Sequence, residues 1–205
     1  KFIFKQSKSA VETSIKSLPT GTYLNTLKLD GFDKPIVLKA TLKIKEKSIS
    51  VDLSGSSPAI NRGINCPLNY TIAYASYGIK AAICPDIPNN AASLAAIQIK
   101  APPGLIVSAE NPSPVTARHV VGQALPDLVL GCLSKALPGK ILAESAGALW
   151  TISISGAGEK RFNSLNVALG GMGARPESDG LSTTAFPSGV GAVSIEVAEA
   201  AAPVI

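Results

Sequence analysis

Charge, aromatic rings and imidazole are all scarce in this chain. Asp, Glu, Lys and Arg make up 16% of its 205 residues, aromatics make up 5%, and the only histidine is His119. Few charges, combined with 46% apolar residues and a mean hydropathy of +0.28, exclude a disordered chain and point to a surface that is partly covered by something else. Cysteine is also sparse: Cys66, Cys84 and Cys132 lack CxxC spacing, which excludes a disulfide framework and a zinc ribbon. Each sits among apolar neighbours and reads as a buried free thiol. There is no P-loop and no G-x-S-x-G elbow, and with one histidine no metal site is expected in this chain. No secretory leader and no apolar run of bilayer length is visible, so the expected compartment is the cytoplasm, with no membrane partner.

What charge there is lies unevenly. The first 50 residues hold 10 of the 19 basic groups and 4 of the 14 acidic ones, so the net +5 comes from this end. Nucleic-acid binding does not follow. In Ile36–Lys45, Leu38, Ala40, Leu42 and Ile44 alternate with Lys39, Thr41, Lys43 and Lys45, the pattern of a half-buried strand with a solvated lysine face. Aromatics do not interleave with these lysines, so no base-stacking platform forms.

The elements read as an α+β fold of mixed and antiparallel strands packed with two main helices, about 66–83 and 114–137. Residues 1–18 carry a weak helical stripe ended by Pro19-Thr20-Gly21. Strands are expected at 23–30, 35–45, 48–53, 97–100, 105–107, 148–154, 162–168 and 192–197. Asn65 is placed to cap the first main helix ahead of Cys66-Pro67. Pro126 should kink or split the second, whose stripe includes Ala117, Val120, Val121, Leu125 and Leu128. The chain is treated as one domain, 1–205, with a candidate subdomain boundary near 102–114.

Three passages could carry chemistry. Asp52 precedes Ser54, Gly55 and Ser56, and the two serine hydroxyls could hold a carboxylate or phosphate. The bland alternative is an Asp that bonds loop N–H groups in a tight turn. His119 lies off the apolar stripe, where an imidazole is ordinarily just solvated. The run Gly170-Gly171-Met172-Gly173-Ala174-Arg175-Pro176 lacks the ending of a phosphate loop. Its glycines more simply provide positive φ angles and close backbone approach, and Arg175 could pair with a carboxylate such as Asp179.

Four blocks in order resemble the B-type subunit of the hydantoinase/5-oxoprolinase family, to which the acetone carboxylases also belong. They are Val51–Pro58 with Gly63–Leu68, Pro85–Asn90, Pro114–Gln123 and Gly170–Pro176. The resemblance implies an internal fragment of that subunit, because the family's early His- and Asp-bearing block and its late glycine-rich block have no counterpart here. It implies part of an ATP-dependent cyclic-amide hydrolase. An A-type partner binding ATP and Mg phosphorylates a hydantoin or 5-oxoproline, and the B-type subunit completes ring opening. No cofactor is expected in this fragment; a divalent metal would belong to the missing part. The expected partners are the A-type subunit, the rest of the B-type subunit and a small cyclic amide. On this reading Asp52, His119 and Arg175 are the catalytic candidates. Ser54, Gly55, Ser56, Asn65, Arg118, Gly170, Gly171, Gly173 and Asp179 are the substrate-binding ones. Two alternatives stand beside it: a non-catalytic scaffold or interface domain of that subunit, and an acetone-carboxylase-type subunit.

Overall fold

Two sheets and six helices make up the computed structural model, which describes residues 1–147, 149–157, 161–184, 186–187 and 194–201. The chain opens with helix α1 (Phe2–Lys16), which buries Ser7, Val11 and Ile15 on one face. A four-stranded sheet follows in the order β1 (Gly21–Leu29), β2 (Ile36–Ile44), β3 (Ile49–Asp52) and β4 (Ile97–Lys100). The first three strands are antiparallel neighbours, whereas β3 and β4 run parallel, with Val51 opposite Ile99. A parallel pair needs a long crossover, provided here by α2 (Leu68–Ile83) and α3 (Ala91–Leu94). The alternation expected of β2 is present: Leu38, Ala40 and Leu42 are buried, while Lys39 and Lys43 are exposed.

The core lies between this sheet and the helices. Helix α5 (Ala124–Ala136) packs on β1 and β2 and against α2. It is buried almost all round, including Leu125, Leu128, Val129 and Leu133. Such a helix can be apolar on every side because every side has a neighbour. The crossing with α2 is close: a methyl group on Gly78 would lie 2.8 Å from Pro126 Cα.

Several expected boundaries are corrected. The second main helix does not begin at 114. The Ala117 N–H donates to the Gly63 carbonyl at 2.7 Å, an external bond in place of a helical one, and regular helix starts only with α4 (His119–Gly122). The break from α5 comes at Gln123, so Pro126 occupies the first turn of α5, where a missing N–H costs nothing. Val120, expected in the apolar stripe, is exposed. Helix α2 begins at Leu68 with Pro67 as its cap residue, not Asn65. Residues 105–107 form no strand; a single bridge joins Leu105 to Pro58, and Ile106 and Val107 are core residues. In place of a strand near 192–197, α6 (Ile195–Ala201) is helical, as its Ala and Glu content favours; residues 192 and 193 lie outside the described residues.

A separate hairpin completes the fold, β5 (Leu149–Ala157) paired antiparallel with β6 (Arg161–Leu169). Among the described residues no helix is long and apolar enough to cross a membrane.

Candidate functional site

The hydroxyl-rich turn after β3 is consumed internally. Asp52 accepts the Ser54 N–H at 2.9 Å and the Ser54 hydroxyl at 2.6 Å, and these two bonds hold its carboxyl below the usual carboxylate range. Gly55 turns the chain with φ +83°, after which Ser56 Oγ accepts the Lys39 N–H and Ser57 Oγ accepts the Val37 N–H. The hydroxyls continue the hydrogen bonding of β2 where β3 has left it. Asp52, Ser56 and Ser57 therefore act as turn and ladder residues, the bland reading of their sequence. Beyond them a cavity of about 640 Å³ lies among Phe32, Ile36, Pro58 and Arg62, with the Arg62 guanidinium 4.8 Å from the Phe32 ring centre.

Asn65 is fully buried and fastens three segments. Its Nδ2 lies 2.8 Å from the carbonyl oxygens of Ile60, Arg62 and Pro114, and its Oδ1 accepts the Ile60 N–H at 2.9 Å. These bonds commit its amide to main-chain groups of three segments and explain why it does not cap α2. Arg118 lies with its guanidinium 5.5 Å from the Tyr70 ring centre, and its carbonyl accepts from the Cys66 thiol at 3.2 Å. His119, half-buried, opens α4. Burial pushes the thiols of Cys66 and Cys132 up to about 12 and about 11, so both are protonated and inert at neutral pH.

The glycine-rich loop is held from two sides. Gly171 adopts φ +93°, and a side chain on Gly173 would overlap the Ala143 carbonyl. The loop runs beside residues 143–146: the Ala143 N–H donates to Ala174 O at 2.8 Å, and the Gly173 N–H donates to Ser145 Oγ at 3.1 Å. On its other side the Met172 N–H donates to Leu181 O at 3.0 Å. Gly170 is exposed at the end of β6. Arg175 closes a small turn with Ser178, and its Nη2 donates to the Asp179 main-chain carbonyl at 3.2 Å. The expected pairing of Arg175 with the Asp179 carboxylate is thus replaced by one main-chain contact.

The residue that anchors this arrangement was not among the sequence candidates. Asp127, on the first turn of α5, is only 6% exposed; its Oδ2 accepts the Ser145 N–H at 3.2 Å and its Oδ1 has no partner among the described residues. Burial, with a smaller contribution from nearby Glu144, pushes its carboxyl up to about 6. Asp127 lines a cavity of about 260 Å³ together with Asn25, Ser134, Lys135, Leu142 and Glu144. A lone carboxylate within the otherwise apolar Ala124–Val129 run was the available signal. The small-residue passage Ser145-Ala146-Gly147 was a second one, and Ser145 is the link between Asp127 and Gly173. Among the described residues no hydrogen bond joins the Asp52 turn to the glycine-rich loop, and no three His, Cys, Asp or Glu side chains converge as a metal cluster.

The family profile described as hydantoinase B/oxoprolinase matches residues 1–205. The chain belongs to the hydantoinase B/oxoprolinase family. Relatives within it include a Pseudomonas sp. (strain NS671) protein provisionally named as the B component of a D-/L-hydantoinase, 28% identical over 194 residues, which are 87% of this chain and 33% of that protein. The 5-oxoprolinase of Dictyostelium discoideum is 28% identical over 189 residues, 91% of this chain and 14% of that protein. The chain thus spans a third or less of the length of these hydantoinase B/oxoprolinase relatives. The fold recurs in the ATP-dependent caprolactamase of Pseudomonas jessenii, with a TM-score of 0.79 at 20% identity over 88% of this chain and 33% of that one. It recurs in nucleotide-free acetone carboxylase with a TM-score of 0.80 at 15% identity, over 95% of this chain and 29% of that one.

Proposed function

We propose that this chain is part of the B-type component of an ATP-dependent enzyme that opens a cyclic amide of the hydantoin or 5-oxoproline class, and that it supplies the wall bearing the glycine-rich loop. The clamped loop carries the reading. Gly171 and Gly173 are held between residues 143–146 and Leu181, so backbone groups of the loop are fixed before any ligand arrives. Fixed dipoles are what a reaction with developing charge requires. A lactam carbonyl is a poor electrophile, and phosphorylation of its oxygen supplies a leaving group. We assign that step, with ATP and Mg, to an A-type partner. The wall described here then orients the activated ring for attack by water. The exposed Arg175, whose side chain makes one hydrogen bond among the described residues, through Nη2, has N–H groups left for a substrate carboxylate or imide.

The test is ATP-dependent ring opening in the assembled complex of full-length B-type component and ATP-binding partner. Arg175→Ala and Gly173→Ala are each expected to lower turnover at least about tenfold while the complex stays assembled. A second reading, a scaffold domain without catalytic residues, draws on the internal consumption of Asp52, Ser56 and Asn65. Unchanged turnover in both variants would establish it in place of the first.

A further inference from the structure

The cavity between β1 and one face of α5 differs from the other hollows in its chemistry. Asp127, whose buried Oδ1 has no hydrogen-bond partner among the described residues, lines it, a second carboxylate, Glu144, lines it too, and among the described residues neither has a counter-ion. Asp127 is 6% exposed, and among the described residues Oδ1 accepts no hydrogen bond. Leaving such an oxygen bare costs about 1–3 kcal/mol, and more when it is charged. Glu144 lines the same cavity and raises the Asp127 carboxyl further. The cation lining it, Lys135, has its ammonium on the Leu24 carbonyl, and among the described residues no ion pair joins it to Asp127 or Glu144.

The remaining lining is oxygen-rich. Asn25 Nδ2 donates one N–H to Leu128 O at 3.1 Å, and its Oδ1 is the acceptor it brings to the cavity lining. This placement is enforced, since a side chain on Gly131 would overlap the Asn25 amide. Ser134 adds a hydroxyl. Two carboxylates, an amide oxygen and a hydroxyl are oxygen donors suited to a hard divalent cation that keeps several waters. A volume of about 260 Å³ accommodates such a hydrated ion.

We propose that this cavity binds one hard divalent cation, held by the free Asp127 oxygen, the Glu144 carboxylate and Asn25 Oδ1 and otherwise by water. The site is separate from the reaction proposed above and its test needs no turnover. Because the other Asp127 oxygen holds Ser145, and Ser145 holds Gly173, an occupied site would stiffen the glycine-rich loop.

The probe is Mn²⁺, followed by electron paramagnetic resonance on the chelator-stripped full chain, with Mg²⁺ and Ca²⁺ as competitors. One Mn²⁺ per chain is expected, displaced by either competitor. Asp127→Asn, which retains an acceptor for Ser145, is expected to weaken binding at least tenfold, and Glu144→Gln severalfold. Lys135→Gln should tighten it by removing the nearby positive charge. Affinity should fall as pH drops below 6; the charged groups facing Asp127 are Glu144 and Lys135, while Asn25 and Ser134 do not titrate. Circular dichroism confirms that each variant is folded. Glu144 is exposed, so Glu144→Gln decides the matter even if Asp127→Asn fails to fold. Absence of stoichiometric Mn²⁺ in the unaltered chain, or unchanged affinity in the folded variants, overturns the proposal.

Discussion

Two side chains at the residue scale show how burial changes what a polar group does. Asp127 has its carboxyl raised from 3.8 to about 6, so the folded state disfavours its ionised form. The stability it contributes is complete below the unfolded value and is lost as pH rises through about 6. Two pH units correspond to roughly 3 kcal/mol. With chelator present, the unaltered chain is therefore expected to lose stability relative to Asp127→Asn between pH 4 and pH 7, as read by urea midpoints. Parallel pH profiles for the two proteins would remove the argument. Asn65 is the converse, a buried polar group with every valence satisfied. Asn65→Ala strands three carbonyls and one N–H, and it is expected to cost about 3–5 kcal/mol in equilibrium unfolding. A loss below 1 kcal/mol would mean that the 60–65 and 114 segments do not depend on it.

At the scale of elements, the fate of α5 follows from its neighbours. Its Pro126 sits in the first turn, where the N–H has no helical acceptor, so Pro126→Ala is expected to change stability by less than about 1 kcal/mol. Leu128→Ala, by contrast, empties a site that is completely buried against the sheet, and is expected to cost about 2–5 kcal/mol. Thermal or urea unfolding separates the two. The same reasoning applies to the glycine-rich loop. Its pairing with residues 143–146 leaves no room for a side chain on Gly173, whose replacement by Ala should cost about 1–3 kcal/mol through displacement of Ala143. Protection of the Ala143 amide from hydrogen exchange should fall with it, because that amide donates across to Ala174. Unchanged protection would show that the two segments are not mechanically joined.

For the molecule as a whole, the low charge content has a visible counterpart in the β5–β6 hairpin. Trp150, Ile152 and Ile154 lie on one face and Leu165 and Val167 on the other, and all five are exposed. A lone two-stranded hairpin is marginal in water, and apolar residues on both faces suit a hairpin packed between layers. In this chain by itself Trp150 is 68% exposed, so Trp150→Ala is expected to move the unfolding free energy by no more than about 0.5 kcal/mol. A larger loss would show that the ring already has a partner. Much of this architecture is legible in the residues. The alternation of β2, the helix ending at Ile83 and both β5 and β6 follow from local pattern, because periodicity of 2 or 3.6 is imposed by the backbone itself. The site was less legible. Asp52 bonds Ser54 two residues on, the tight-turn alternative already visible in its sequence, whereas Asn65 reaches the Pro114 carbonyl, which only the fold brings within range.

Local pattern and block order alone thus determined the element types, the lysine face, the inert thiols and the family, since each depends on neighbours in sequence. Tertiary structure decided the rest. Whether one oxygen of a carboxylate such as Asp127 is buried without a partner depends on what Asn25, Ser145 and the facing side of α5 bring to it among the described residues. Whether a helix begins at 114 or 119 depends on an acceptor at Gly63. Desolvation and hydrogen bonding act through space, and the distances they depend on exist only once the chain has folded.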